Sequence, residues 1–372
     1  MTGTALAAHL TGLELVSALQ GIAALFHTVV PTTATLPPVL QMSFAEGLGQ
    51  FLQFENVADV VVEGLAKSAI YVMIASGLTL IFGLMGVLNF AHGSLTMIGA
   101  YLAGVVMVVL VGSATGQWMR LAYFFGALVV VFGALALLGG AMEVALIRKL
   151  YDRPPIYQIL LTFGLTLILE ELVRIVVLFY GLQPISEWQA AIGTKPAFLA
   201  TDQPLGPISI RGLAVFEIFL GVLTVVTVWA FLTRTRYGLY IRAGSEDAEM
   251  AEALGIDVRR VFTVVFALGA GIAGIAGALL MWDQIWGASV PLAAETLLPA
   301  FVVVIIGGLG TFRGTVAGGI VVGMADAVTT WWFQNVLITW TWLPEITVFL
   351  ILVGMLIVKP QGLYGVEEVG GH

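Results

Sequence analysis

TRTRYGLYIRAGSEDAEMAEALGIDVRR, residues 233–260, is a charged island in a chain of which only 10% of the residues carry charge. Arg234, Arg236, Arg242, Arg259 and Arg260 share it with Glu246, Asp247, Glu249, Glu252 and Asp257. Long apolar runs flank it on both sides, so it reads as a water-exposed loop between two membrane helices. The loop carries a short helix of its own. Ser245 is a good N-cap, Glu246 and Asp247 complement the first-turn dipole, and Gly255 suits the C′ position after Leu254. That spacing predicts roughly nine helical residues, about 13 Å of helix. Met250, Ala251 and Leu254 fall on one face, while Glu246, Glu249 and Glu252 mostly point elsewhere. A short helix with a small apolar face fits a groove on a soluble partner. The plainer reading is a loop helix resting on lipid headgroups, which three glutamates against an anionic leaflet disfavour.

Working outward, the composition agrees with a membrane setting. Of 372 residues, 59% are hydrophobic, and the mean hydropathy is +1.02. That balance predicts an all-α polytopic integral membrane protein, because helices satisfy their own backbone in lipid. The 44 glycines suit close helix packing there. The chain has no cysteine, which excludes disulfides and thiolate metal sites. A metal site is not expected, since His9, His27 and His372 lie near the chain ends, away from His92. No basic patch with interleaved aromatics points to nucleic acid. Metalloprotease, nucleophile-elbow and Walker motifs are absent, so no catalytic residues are assigned.

About eight core spans are expected: 68–88, 94–111, 121–138, 157–180, 213–232, 261–281, the pair 297–306 and 316–328, and 343–358. The N-terminal run 13–30 is interrupted by Glu14, Gln20 and His27. It reads as an extra span or an interfacial helix, with the span preferred. A Pro/Thr linker (31–38) and an amphipathic segment (44–63) follow it. Trp331, Trp332, Trp340 and Trp342 are placed like an interfacial belt in an external turn. Arg148, Lys149, Arg153, the five arginines of the island and Lys359 fall on one side. By the positive-inside rule that side is cytoplasmic and the 181–211 loop is external.

The second centre of interest is Asn89-Phe90-Ala91-His92-Gly93, polar residues inside apolar sequence. It reads either as a helix broken at membrane depth or near its cytoplasmic edge, of the kind that lines substrate paths, or as a cytoplasmic-end turn whose Asn and His cap helices. A second glycine-rich interruption, 307–314, is spaced rather like it; convergence on glycine explains this better than an inverted repeat does. Glu143, Glu170, Glu171, Arg174, Glu217, Asp283 and Asp326 lie in or near spans. Glu170 and Arg174 are i, i+4 partners. Asp326 is the most isolated, a functional candidate or a cap for the Trp-rich turn.

These motifs together resemble the permease subunits of branched-chain amino acid ABC importers. The resemblance rests on ASGLTLIFG (75–83), GVLNFAHG (86–93) and IGAY (98–101). It extends through Arg242-Ala243, Glu249-Met250-Ala251 and Leu254-Gly255-Ile256, then GGLG (307–310), and ends at KPQGLYG (359–365). It implies three regions: an N-terminal extension (1–56), a transmembrane domain (57–365) with a coupling loop at 233–260, and a tail (366–372). It implies two cytoplasmic ABC ATPase subunits, a second, paralogous permease and a periplasmic substrate-binding protein, in a bacterial inner membrane. ATP and Mg would sit on the ATPases, with no cofactor on this chain. Ser245, Glu246, Asp247, Met250, Ala251, Leu254 and Gly255 would couple to the ATPases. Asn89, Phe90, His92 and Gly93 would line the substrate pathway. The long N-terminal extension departs from compact members and keeps a urea or short-amide importer as the alternative; an ion-coupled secondary transporter is the more distant one.

Overall fold

The computed structural model describes residues 44–181, 187–205, 208–284, 286–336 and 344–365. The run 13–30, the linker 31–38, Trp340, Trp342 and the tail 366–372 lie outside them. The chain is an all-α, multi-pass membrane protein. A short helix, α1 (Phe44–Phe51), precedes α2 (Phe54–Met85), which is one continuous element. The amphipathic segment expected at 44–63 is therefore split: its second half is the first turns of a membrane helix. Next come α3 (His92–Leu110), α4 (Gln117–Ala145) and α5 (Pro155–Phe179). The connection after α5 holds two single-turn helices, α6 (Gln189–Ile192) and α7 (Ala197–Ala200). It ends in an antiparallel hairpin of β1 (Asp202–Leu205) and β2 (Ile208–Arg211). The chain then crosses in α8 (Gly212–Arg234). The island becomes α9 (Arg236–Glu246) and α10 (Ala248–Ala253). The closing elements are α11 (Val258–Leu280), α12 (Leu292–Gly307), α13 (Phe312–Asn335) and α14 (Pro344–Val358).

Among the described residues, six helices (α2, α3, α4, α8, α11 and α13) are long and apolar enough to cross a membrane. The 25-residue α5 carries Glu170, Glu171 and Arg174, and α12 and α14 are shorter apolar helices. Local chemistry sets the boundaries. Gly86 ends α2 in the left-handed region at φ 64°, its N–H reaching the Phe82 carbonyl at 2.8 Å. Pro155 opens α5 at a position where no amide donor is needed.

The most buried helices, α2 and α11, run antiparallel and cross at the centre. Glycine makes the crossing close. A Cβ on Gly77 would stand 2.5 Å from the Gly269 carbonyl oxygen, and one on Gly269 would stand 2.7 Å from that of Gly77. Each of these helices is followed by described residues outside any helix (86–91, and 281–284 with 286–291) that lead inward before a shorter helix begins. The two shorter helices, α3 and α12, meet at their second residues, Gly93 and Ala293. Beyond them α4 packs along α11 as α13 packs along α2, and α5 and α14 lie outside α3 and α12. The core is thus an inverted repeat, α2–α5 against α11–α14. The glycine-rich 307–314 stretch is not the counterpart of 89–93; it turns between α12 and α13, and the counterpart is 281–284 with 286–291.

Other expectations need correcting. Trp331 and Trp332 lie on α13, not in a turn, and Trp331 is buried against Phe51 at 5.0 Å between ring centres. Arg174 pairs with Glu171 at 3.3 Å, not with Glu170.

Candidate functional site: a mid-membrane break and a capped loop helix

The break after α2 lies deep in the protein. Asn89, His92 and Gly93 are fully buried. The Nε2 of His92 donates to the Ile74 carbonyl at 2.9 Å. Ile74 precedes the end of α2 by eleven residues, which is about 16 Å of helix, half the thickness of a hydrocarbon core. Asn89 acts within the turn: its Oδ1 accepts from the Ala91 N–H at 3.1 Å, and its carbonyl accepts from the His92 N–H at 3.3 Å. The turn therefore sits at membrane depth, as the first reading has it, and Asn89 organises it from within; the cytoplasmic-end capping turn is not formed, since the N-cap of α3 is Ala91, with no side-chain cap. The Nδ2 of Asn89 and the Nδ1 of His92 have no hydrogen-bond partner among the described residues. Phe90 is partly exposed and packs its ring 5.2 Å from Phe301 and 6.5 Å from Phe163, joining α12 and α5. A Cβ on Gly93 would overlap the Ala293 carbonyl oxygen, so only glycine allows this approach.

The residues that face the break, 281–284 and 286–291, were missed as a site, although the gap between apolar runs 261–281 and 297–306 marks them. Trp282 is fully buried, stacked on Phe124 at 4.0 Å, and its Nε1 donates to Thr194 Oγ1 at 3.0 Å. Asp283 belongs to a charged cluster at the hairpin end of the bundle. There Arg211 reaches Glu63 with two bonds of 2.9 Å, Glu217 at 3.2 Å and Asp283 at 3.4 Å. Burial works against the charged guanidinium, but hydrogen bonding to Glu63 and the nearby carboxylates outweigh it and hold the Arg211 pKa above its usual value. Lys195 sits beside this cluster and donates to the Trp282 carbonyl at 3.0 Å. Burial pulls its ammonium pKa down, and Asp283 partly offsets that. Asp326 is not isolated: Lys67 (2.8 Å), Thr330 (3.0 Å) and Tyr71 (2.7 Å) hold it as a bridge between α2 and α13. Glu143 is bound by Arg148, Tyr151 and Thr263 at the opposite end. Among the described residues, no group of three or more His, Asp or Glu side chains is placed to hold a metal ion.

At that opposite end the charged island forms two helices in place of the one expected. Ser245 is not the cap; it lies in the last turn of α9 and donates to the Arg242 carbonyl at 2.9 Å. Glu246 is the final residue of α9. Asp247 caps α10, its Oδ1 accepting from the Met250 N–H at 2.9 Å. Aspartate here both accepts the bond and complements the dipole, which serine does less well. Gly255 is at C′ as expected, with φ 87°, and two bonds complete a Schellman motif: Ile256 N–H to Ala251 carbonyl (3.0 Å) and Gly255 N–H to Glu252 carbonyl (2.9 Å). Asp257 then caps α11 through the Arg260 N–H at 3.1 Å. Met250 (57% exposed) and Leu254 (76%) face outward, whereas Ala251 is buried against the bundle. The apolar face is thus two residues wide, and Ala251 anchors the helix beneath it.

Over residues 60–359 the sequence matches the family described as branched-chain amino acid transport system, permease component. The chain belongs to that family. Curated relatives agree along nearly their whole lengths. The high-affinity branched-chain amino acid transport system permease protein LivH of Escherichia coli (strain K12) is 28% identical over 325 residues, covering 86% of this chain and 98% of the relative. The permease protein BraD of Pseudomonas aeruginosa is 27% identical, covering 83% of this chain and 95% of its own. The probable LivH of Methanocaldococcus jannaschii is 25% identical, covering 83% and 93%. The permease is thus a component of an ABC transporter, from a family that is not itself catalytic. The break and the α10 helix both fall within its matched region.

Proposed function

We propose that the chain is the membrane-spanning permease subunit of a binding-protein-dependent importer that carries branched-chain or related amino acids inward across the inner membrane. ATP with Mg is hydrolysed on two cytoplasmic ATPase subunits, and this chain binds no cofactor. A second, paralogous permease completes the membrane unit, and a periplasmic binding protein delivers substrate at the hairpin end. The supporting observation is α10: a helix capped at both ends, carrying exposed Met250 and Leu254 on a buried Ala251 anchor, at the end rich in arginine. Such a face suits a groove on a soluble ATPase. The positive-inside rule makes that end, and the C-terminus with it, cytoplasmic.

ATPase closure then pushes α10. The push passes through α9 to α8 and through the Asp257 cap to α11. Because α11 crosses α2 at Gly269 and Gly77, its tilt reaches residues 86–91 and 281–284 with 286–291. Asn89, Phe90, His92 and Gly93 lie on the substrate path in this reading. The test is a mild-detergent pull-down of the tagged chain from its native host, followed by ATPase and uptake assays with leucine and with urea. Recovery of two ATPases and a second permease, with leucine-stimulated turnover, is the expected result. Transport by the lone chain would overturn the reading, and urea uptake without leucine uptake would overturn the substrate. In the complex, Leu254→Arg or Met250→Glu should leave membrane insertion intact and lower substrate-coupled ATPase activity at least tenfold.

A further inference from the structure

A cavity of about 400 Å³ opens at the α10 end, between the last turns of α2 and α8, the α9 helix and the start of α13. That volume suits a small ligand or a lipid headgroup. Arg242, Arg313, Thr233, Ser245 and Thr311 contribute polar groups to its wall, and among the described residues no Asp or Glu lines it. Both arginines are solvent-exposed, and neither forms an ion pair among the described residues. Arg148 and Arg211, by contrast, are committed to carboxylates. Arg242 makes one long bond, from Nε to the Gly238 carbonyl at 3.4 Å, which leaves its terminal nitrogens free for a ligand. Thr311 donates its hydroxyl to the Gly308 carbonyl at 2.9 Å, so α13 begins with no side-chain cap. The positive end of its dipole adds to the two guanidinium charges.

Leu80, Trp229, Leu232, Ile241 and Phe312 give the cavity an apolar side, and Thr79 and Tyr364 also line it. Trp229 continues an exposed apolar stripe on α8 with Val222 and Val226, all about half exposed. A ligand whose charge sits at the arginines can lay hydrocarbon along this stripe without leaving the bilayer. A free anion would leave that wall without an apolar partner. We propose that the cavity binds the phosphate-bearing anionic headgroup of a membrane lipid, clamped by Arg242 and Arg313, with its acyl chains running down Trp229 and α8. Arginine forks match phosphate oxygens bidentately, and the net positive wall selects an anionic head over a zwitterionic one.

The experiment is native mass spectrometry of the full-length chain released from mild detergent, with phosphatidylglycerol or phosphatidylcholine of matched chains added, and with glycerol phosphate as a headgroup-only competitor. Wild type should retain phosphatidylglycerol preferentially. In Arg242→Gln/Arg313→Gln that preference should fall on the order of 30-fold, from roughly a fivefold loss for each basic residue at the membrane surface. Arg242→Lys/Arg313→Lys should keep most of it, which separates lost charge from misfolding. Lys149→Gln/Arg153→Gln, exposed at the same end but outside the cavity, should keep all of it. Equal retention of the two lipids by wild type, or an unchanged preference in the glutamine variant, would overturn the site. Full displacement by glycerol phosphate at equal concentration would overturn the lipid assignment. The readout needs no partner subunit, so it stands or falls separately from the transport reading.

Discussion

At the scale of single residues, Gly93 sets how closely the two inward-dipping stretches approach. A methyl group there would collide with the Ala293 carbonyl, and both atoms involved are held by backbone. Gly93→Ala should therefore lower stability by roughly 1–3 kcal/mol, the usual cost of overpacking, read as a drop in melting temperature in detergent. A Cβ added to Gly126, on α4, would meet nothing within 4 Å, so Gly126→Ala should be neutral or gain up to about 1 kcal/mol in helix propensity. Two glycines in membrane helices thus predict opposite signs, and a common drop in both would refute the packing account. Arg211 is the charged counterpart. Arg211→Gln leaves Glu63, Glu217 and Asp283 without their shared guanidinium, and of the three Lys195 acts only on Glu217 and Asp283. Its side chain is 34% exposed, so the cost should be on the order of 2–3 kcal/mol, below that of breaking a fully buried pair. The melting shift should shrink in Arg211→Gln/Glu63→Gln relative to the sum of the single changes.

At the scale of elements, the loop helix shows what a sequence carries and where it misleads. Gly255 was legible because a helix end with a left-handed residue needs glycine. The start was not. Ser245, Glu246 and Asp247 all favour an N-cap region, and the choice among them depends on where α9 ends, which tertiary packing decides. Gly244 and Ile241 are buried and carry α9 through Ser245 and Glu246. Asp247→Ala should consequently cost about 1 kcal/mol locally, visible as faster amide exchange over 248–253, while Ser245→Ala should change little. The Asn89 turn was legible as an interruption, but its depth was not, because depth depends on α2 extending to Met85 beside it. Asp326 appeared isolated because Lys67 and Tyr71 are more than 250 positions away in sequence.

At the scale of the whole molecule, the inverted repeat escaped the sequence because its halves share architecture with little residue identity. The aligned marks are single residues: Gly77 against Gly269 and Gly93 against Ala293. Their positions on facing helices become meaningful only once the helices are placed. The same architecture fixes a question of parity. The unit α2–α5 starts and finishes at the hairpin end, whereas α11 must start at the α10 end. Two oppositely oriented units on one polypeptide therefore require an odd number of crossings between them, and α8 supplies one. Its role is first arithmetical. Any ancestor in which the two halves were separate chains would have needed no α8, but each half would have had to insert facing a different way. Fusion without such a linker would have forced both into the same orientation and removed the symmetry on which the central crossing depends.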